Sequence, residues 1–257
     1  MKIYKMNDKS DNFTIKKEHT FNLPMRLLMI GSSGCGKTGN LGNLLLRKDF
    51  YRDDFKPENI YIFSGSLAGG GDLKLMTIIE TLEIPSSNLF FEFDEESAHL
   101  IYDQSVKNYN EAISEKRTPE HVLFVFDDLG YTNLQNKNKK NSILDKITSN
   151  GRKFLISIIS LNQRITQLNT NAREQASGII LWSTTNKQLQ LIEQDFNYLP
   201  SKKQFLDMVH KHTSNSKHDF IVMDFEKKNK YFNKEFRPIC NCTDGSNKCG
   251  GDINAPE

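Results

Sequence analysis

The sequence has no long apolar run. Nothing in it approaches the roughly 18 consecutive apolar residues that a membrane span needs, and the opening Met1-Lys2-Ile3-Tyr4-Lys5 lacks the apolar core of a secretory leader. The expectation is a chain that is neither secreted nor membrane-spanning. Cysteine is scarce. Of four in 257 residues, one lies inside a glycine-rich loop, which excludes a disulfide framework and fits a reducing compartment. Excess charge of one sign is also missing: 34 Lys and Arg against 32 Asp and Glu leave a net charge of +2. The chain as a whole is therefore not an evident nucleic-acid binder, and any basic surface must arise locally or through assembly. No internal repeat is found. What is present, 37% hydrophobic and 26% charged residues, is the make-up of a soluble globular chain with one main domain.

The apolar residues fall in short runs. Met25–Ile30, Asn59–Ser64, Asn88–Phe93, Val122–Phe126, Phe154–Leu161 and Gly178–Trp182 read as buried strands, because near-continuous apolar runs without alternation suit parallel strands covered on both faces. Lys37–Arg47, Glu95–Ser114, Asn141–Asn150 and Asn186–Asp195 read as helices, with Ser201–Lys211 following Pro200. Asp219–Phe225 and Tyr231–Phe236 flank Lys227-Lys228-Asn229-Lys230 and predict an antiparallel hairpin on the sheet edge. The pattern is α/β, with an N-terminal arm over residues 1–20, a main domain over 21–236 and a flexible tail over 237–257 rich in Gly, Asn and Asp. Ser66-Leu67-Ala68-Gly69-Gly70-Gly71 reads as a mobile loop.

Gly31-Ser32-Ser33-Gly34-Cys35-Gly36-Lys37-Thr38 matches G-x-x-x-x-G-K-[ST] in full and sits between an apolar run and a helical pattern. Glycines let the backbone fold so that successive N–H groups point at phosphate oxygens, and the following helix adds its positive dipole end. Lys37 is expected on the β- and γ-phosphates of ATP and Thr38 on Mg²⁺. The bland alternative is a turn joining a strand to a helix. Cys35 fills a small-residue position, or else is a thiol activated by the helix N-terminus.

His121–Phe126 followed by Asp127-Asp128 is an apolar strand ending in two carboxylates, the form of a Walker B motif. A carboxylate at the C-terminal end of a parallel strand lies where ligands collect. Asp127 is expected to hold Mg²⁺, and Asp128 to polarise a water for in-line attack on the γ-phosphate. Read without the phosphate loop, Asp-Asp before Leu-Gly is an ordinary strand-ending turn.

The next apolar strand carries Asn150-Gly151-Arg152-Lys153 before it and Asn162-Gln163-Arg164 after it. If that strand lies beside the phosphate-loop strand, Gln163 at its tip reaches the γ-phosphate or the attacking water. Arg152, at the opposite end, serves instead as a candidate arginine supplied in trans to a neighbouring subunit, a device worth about 10³–10⁵ in rate; Arg164 and Arg173 are rival candidates. Lys137, Lys139 and Lys140 are candidate DNA-backbone contacts or simply solvated. Cys240, Cys242 and Cys249, with His210, His212 or His218, form an incomplete zinc pattern.

The order Pro24-Met25-Arg26 into the loop strand, Phe126-Asp127-Asp128-Leu129, Gly151-Arg152 and Ile156-Ser157-Ile158-Ile159-Ser160-Leu161-Asn162-Gln163 resembles the FtsK/HerA superfamily of P-loop ATPases. Within it, the string is similar to the genome-packaging ATPases of poxviruses, other large DNA viruses, virophages and Polinton-type elements, from about Phe21 to Phe236. The resemblance implies a RecA-like P-loop NTPase of the ASCE type: a mainly parallel central sheet flanked by helices, with a C-terminal β-hairpin. It also implies a ring, hexamer or pentamer, that uses ATP and Mg²⁺ to drive double-stranded DNA into a preformed capsid, with capsid or portal-vertex proteins as partners and the host cytoplasm or virion as location. Many relatives carry Glu where Asp128 stands; the packaging branch uses Asp, which shortens the reach of the proposed base. Three rivals are a helicase or other DNA translocase, a small-molecule kinase, and a scaffold that binds ATP without hydrolysing it. A GTPase is unsupported, because Asn186-Lys187-Gln188-Leu189 ends in leucine where guanine recognition needs a carboxylate.

Overall fold

Two strands with every residue buried set the architecture: Val-Leu-Phe-Val-Phe-Asp over 122–127 and Ile-Ser-Ile-Ile-Ser-Leu-Asn over 156–162. Strands this apolar on both faces belong in the middle of a sheet covered by helices. In the computed structural model, which describes residues 20–70, 72–128 and 142–239, they occupy the centre. The elements are β1 (Arg26–Ile30), α1 (Lys37–Leu46), β2 (Ile60–Ser64), α2 (Leu73–Leu82), β3 (Leu89–Phe90), α3 (Glu95–Ser114), β4 (Val122–Asp127), α4 (Ile143–Asn150), β5 (Ile156–Asn162), α5 (Thr170–Glu174), β6 (Gly178–Trp182), α6 (Asn186–Phe196), α7 (Lys202–Thr213), β7 (Phe220–Asp224) and β8 (Tyr231–Phe232). One eight-stranded sheet runs β3-β2-β4-β5-β1-β6-β7-β8. It is parallel from β3 through β6 and antiparallel at β6–β7 and β7–β8.

The strand period of two sorts side chains between layers. Leu27 and Met29 of β1, with Leu123 and Val125 of β4, pack against Leu41 and Leu44 of α1 and Leu75 and Ile78 of α2. Their neighbours Leu28 and Ile30 face Leu189, Ile192 and Phe205 of α6 and α7. Phe124 and Phe126 join Phe63, Tyr102 and Ile147 under α3 and α4, where Phe63 stacks on Phe90 at 4.4 Å between ring centroids. β5 lies between β1 and β4, so the phosphate-loop strand and the acidic strand are one strand apart, as the ASCE expectation requires.

The structure departs from the sequence reading in local ways. The third strand is limited to Leu89–Phe90, shorter than Asn88–Phe93, because β3 is an edge strand paired only with β2 and Phe91 is already exposed. The stretch expected as a mobile loop instead holds a 3₁₀ segment, Gly65–Gly70, and leads into α2, which the sequence reading lacks. Asp72 caps α2, accepting from Lys74 N at 2.9 Å and Leu75 N at 3.2 Å. Leu75, Ile78 and Ile79 form the buried stripe of that helix. The hairpin is β7–β8, shorter in its second arm than expected, and Phe232 forms an isolated antiparallel bridge to Pro238, a residue assigned to the tail. Residues 240–257 of the tail, with Cys240, Cys242 and Cys249, lie outside the described residues. So do residues 1–19 of the arm and the basic residues Lys137, Lys139 and Lys140.

Gly178, at the start of β6, admits no side chain: a Cβ there would stand 2.8 Å from the Met223 carbonyl oxygen and closer still to the Phe21 ring. Phe21 is 2% exposed and has little room to withdraw. Gly178→Ala is expected to destabilise the domain by about 1–3 kcal/mol, the usual range for overpacking, lowering Tm by several degrees. A melting curve within a degree of wild type would show that the Phe21 ring swings aside.

Candidate nucleotide-binding site

The loop from Gly31 to Gly36 leaves β1 and enters α1. Gly34 at φ 73° and Gly36 at φ 109° occupy left-handed conformations that side chains disfavour. No side chain caps the N-terminus of α1, so its first-turn amides are available to an anion. Lys37 donates through Nζ to the Gly31 and Ser32 carbonyls at 2.7 and 3.1 Å. Cys35 turns into the core with Trp182, and burial pushes its thiol pKa up. This favours the small-residue reading over an activated thiol, and leaves Cys35 to serve a phosphate through its backbone alone. Behind the loop, His218 Nδ1 lies 3.1 Å from the Cys35 carbonyl; a carbonyl only accepts, so Nδ1 carries the proton.

One cleft of about 410 Å³ is lined by Ser33, Gly34, Gly36, Lys37, Thr38, Asp127, Asp128 and Gln163. The residues singled out for in-subunit roles thus converge. Asp127, at the end of β4, is 5% exposed. Its Oδ2 accepts from Ser64 Oγ at 2.8 Å and Ser66 Oγ at 3.1 Å. Burial raises its pKa, the two hydroxyls oppose that, and the charges of Asp128 and Asp72 add to it. Asp128 turns the chain at φ 50°, which costs a residue with a Cβ about 1 kcal/mol. Its Oδ2 accepts from Gln163 Nε2 at 2.7 Å, while its Oδ1 is buried with no partner among the described residues. Gln167 holds the Gln163 turn, its Oε1 accepting from Gln163 N and Arg164 N at 2.8 and 2.9 Å.

A divalent cation fits this donor set. Among the described residues no three His, Cys, Asp or Glu side chains form a self-sufficient metal cage, and Mg²⁺ does not ask for one, since it takes one or two protein oxygens plus phosphate and water. Hard oxygens are in place at Thr38 and Asp127, and the unpartnered Asp128 oxygen suits a bound water. His210, His212 and His218 likewise belong to no metal cluster among the described residues.

Ser66, Asp72, Leu73 and Lys74 also line the cleft, and sequence reasoning missed all four as site residues. The signal for Asp72 was available: an Asp directly before an apolar stripe at helical spacing is a helix start. The arginines lie elsewhere. Arg152, in the 3₁₀ turn Gly151–Phe154 ahead of β5, lies at the opposite end of that strand from Gln163, 3.6 Å from Glu226. Arg173 is held by Asp195 at 2.7 Å. Arg164 is exposed and adjoins Gln163.

The raised pKa of Asp127 sets a stability sign. The native state holds a proton there more tightly than the unfolded chain, so its contribution to stability falls as pH rises from the ordinary carboxylate range through the raised native value. The ionised form of this carboxylate is the one that burial disfavours. Asp127→Asn, which keeps an acceptor for the two serines, is expected to raise the Tm of the nucleotide-free protein while abolishing the gain in nucleotide affinity that Mg²⁺ provides. A lower Tm would mean the hydroxyl network outweighs the desolvation of the charge.

The poxvirus A32 protein family matches residues 93–252, more than half of the chain, a span that includes Asp127, Asp128, Arg152 and Gln163 but begins after the phosphate loop. No curated protein sequence matches. Among solved structures, the genome packaging NTPase B204 from Sulfolobus turreted icosahedral virus 2 in complex with AMPPCP superposes with a TM-score of 0.53 at 13% identity, over 78% of this chain and 92% of that one. EssC (ATPases 2 and 3) from Geobacillus thermodenitrificans gives 0.54 at 12% identity, over 81% and 38%. The pCW3 conjugation coupling protein TcpA with ATPγS gives 0.52 at 13%, over 78% and 57%. At such identities the likeness establishes the P-loop NTPase fold. The family match, over more than half of the chain, shows that the chain belongs to the poxvirus A32 protein family.

Proposed function

We propose that this chain is an ATP-hydrolysing DNA translocase that packages double-stranded viral DNA into a preformed capsid. The observation that carries the hydrolytic part is the Gln163 amide on the Asp128 carboxylate at 2.7 Å, in the same cleft as Lys37, Thr38 and Asp127. A protein that only bound ATP would have no use for a carboxylate held with one free oxygen beyond the phosphate loop. In this reading the loop amides and Lys37 bind the β- and γ-phosphates. Asp128 orients a water toward the γ-phosphorus and draws off its proton, and Gln163 fixes the carboxylate and follows loss of the γ-phosphate. Mg²⁺, held by Thr38 and Asp127, would neutralise charge on the phosphate oxygens.

Membership of the A32 family, the likeness to the genome packaging NTPase B204 and the resemblance of the motif string support the DNA and capsid parts of the reading. They also support a homo-oligomeric ring acting in the infected cell or at the virion. Arg152 lies outside the subunit's own cleft, which suits a residue delivered to a neighbour. Among the described residues no helix is long and apolar enough to cross a membrane.

Phosphate release from ATP by the purified chain, with and without double-stranded DNA and with Lys37→Ala as control, tests the reading. Turnover stimulated by DNA and lost in the variant is expected. Turnover indifferent to DNA would leave an ATPase without a motor, and none from assembled rings would leave a nucleotide-binding scaffold. For the trans residue, Arg152→Ala is expected to bind ATP normally yet turn over at least 10³-fold more slowly, and to recover part of its activity when mixed with Asp128→Asn. Unchanged turnover in Arg152→Ala removes it from the mechanism.

A further inference from the structure

Asp72 stands 34 residues beyond Thr38 in sequence, yet its Oδ2 accepts a hydrogen bond from Thr38 Oγ1 at 3.1 Å. Its other oxygen, Oδ1, caps α2 through Lys74 N and Leu75 N. The two carboxylate oxygens thus have separate tasks. The capping one anchors the side chain on a ten-residue helix whose buried stripe packs against α1. The outward one is aimed at a hydroxyl that the nucleotide site needs.

A hydroxyl that ligates a cation does so through an oxygen lone pair and keeps its hydrogen, which must be given to some acceptor. The direction of that O–H bond decides where the lone pairs point. Thr38 gives its hydrogen to Asp72, so its lone pairs are turned away from α2. Asp127 accepts from Ser64 and Ser66 at Oδ2, while the Thr38 hydroxyl donates to Asp72. Both groups expected to touch the cation are therefore held by one connection, Ser64 to Asp72, between β2 and α2. Partners that orient a metal's ligands in this way are each worth about 10–100-fold in metal affinity.

We propose that Asp72 is a positioning residue of the ATP site, orienting the Thr38 hydroxyl for a divalent cation, so that α2 and the phosphate loop respond together to Mg²⁺. The proposal rests on the nucleotide-site reading and deepens it. Asp72 does not touch nucleotide or cation itself; it acts through Thr38.

Asp72→Asn separates the two tasks. An asparagine oxygen still caps α2, while the amide nitrogen, a donor only, cannot accept from Thr38. The measurement is Mn²⁺ binding by electron paramagnetic resonance to the full chain saturated with a non-hydrolysable ATP analogue, alongside analogue affinity in EDTA and Tm. Asp72→Asn is expected to keep its Tm and its metal-free affinity while binding Mn²⁺ about tenfold more weakly. Asp72→Ala is expected to lose Tm as well, through the cap. Mn²⁺ affinity unchanged in Asp72→Asn overturns the proposal, reduces Asp72 to a helix cap, and leaves the nucleotide site intact. Failure of the wild type to bind the analogue overturns both readings at once.

Discussion

Two consecutive carbonyls of β5 hold the site together. Leu161 O receives the amide of Asp128 at 3.1 Å, and Asn162 O receives the amide of Gly31 at 3.2 Å. Successive carbonyls of a strand point to opposite sides, so one strand ties the end of the acidic motif on β4 to the start of the phosphate loop after β1. The next residue is Gln163, whose amide then bonds Asp128. The distance between the phosphate loop and the Asp128 carboxylate is therefore set by a strand register buried at every position of β5, where a slip of one residue would put its apolar set on the wrong face.

That precision brings together charges that folding alone would keep apart. Asp72, Asp127 and Asp128 line one cleft, and the raised pKa of Asp127 records the burial and mutual repulsion. Hydroxyls of Ser64, Ser66 and Thr38 relieve part of this without neutralising it. The left-handed turn at Asp128 adds backbone strain at the same place. Unfavourable terms gathered at one point of an otherwise apolar fold suit a site for a cation, which supplies the opposite charge.

Much of this was legible in the sequence wherever the signal was local. β6 and α3 carry the bounds their apolar runs gave, and the phosphate loop, Asp127, Asp128 and Gln163 announced themselves by motif and by position at strand ends. Asp72 did not. Its chemistry depends on a hydrogen bond to Thr38 across 34 residues, and a run of glycines before it disguised the helix it begins. β3 was overestimated because Phe91 and Phe93 extend the apolar run in sequence, while an edge strand with a single partner pairs at only two positions. α5, five residues long and without a buried position, offers no periodicity to read.

Arg152 and Arg173 differ in the length of the ion pair that each makes. Arg173 is held by Asp195 at 2.7 Å with a side chain only 18% exposed, and its Nε is buried. Arg152 is 3.6 Å from Glu226, a longer contact between side chains that are 33% and 21% exposed. Its charge also weighs on Arg26, whose pKa is lowered by burial first and by Arg152 second. Moving Arg152 away would lengthen its contact with Glu226 and relieve a repulsion at Arg26. The guanidinium of Arg152 thus balances an attraction to Glu226 against a repulsion from Arg26, at the end of β5 opposite Gln163.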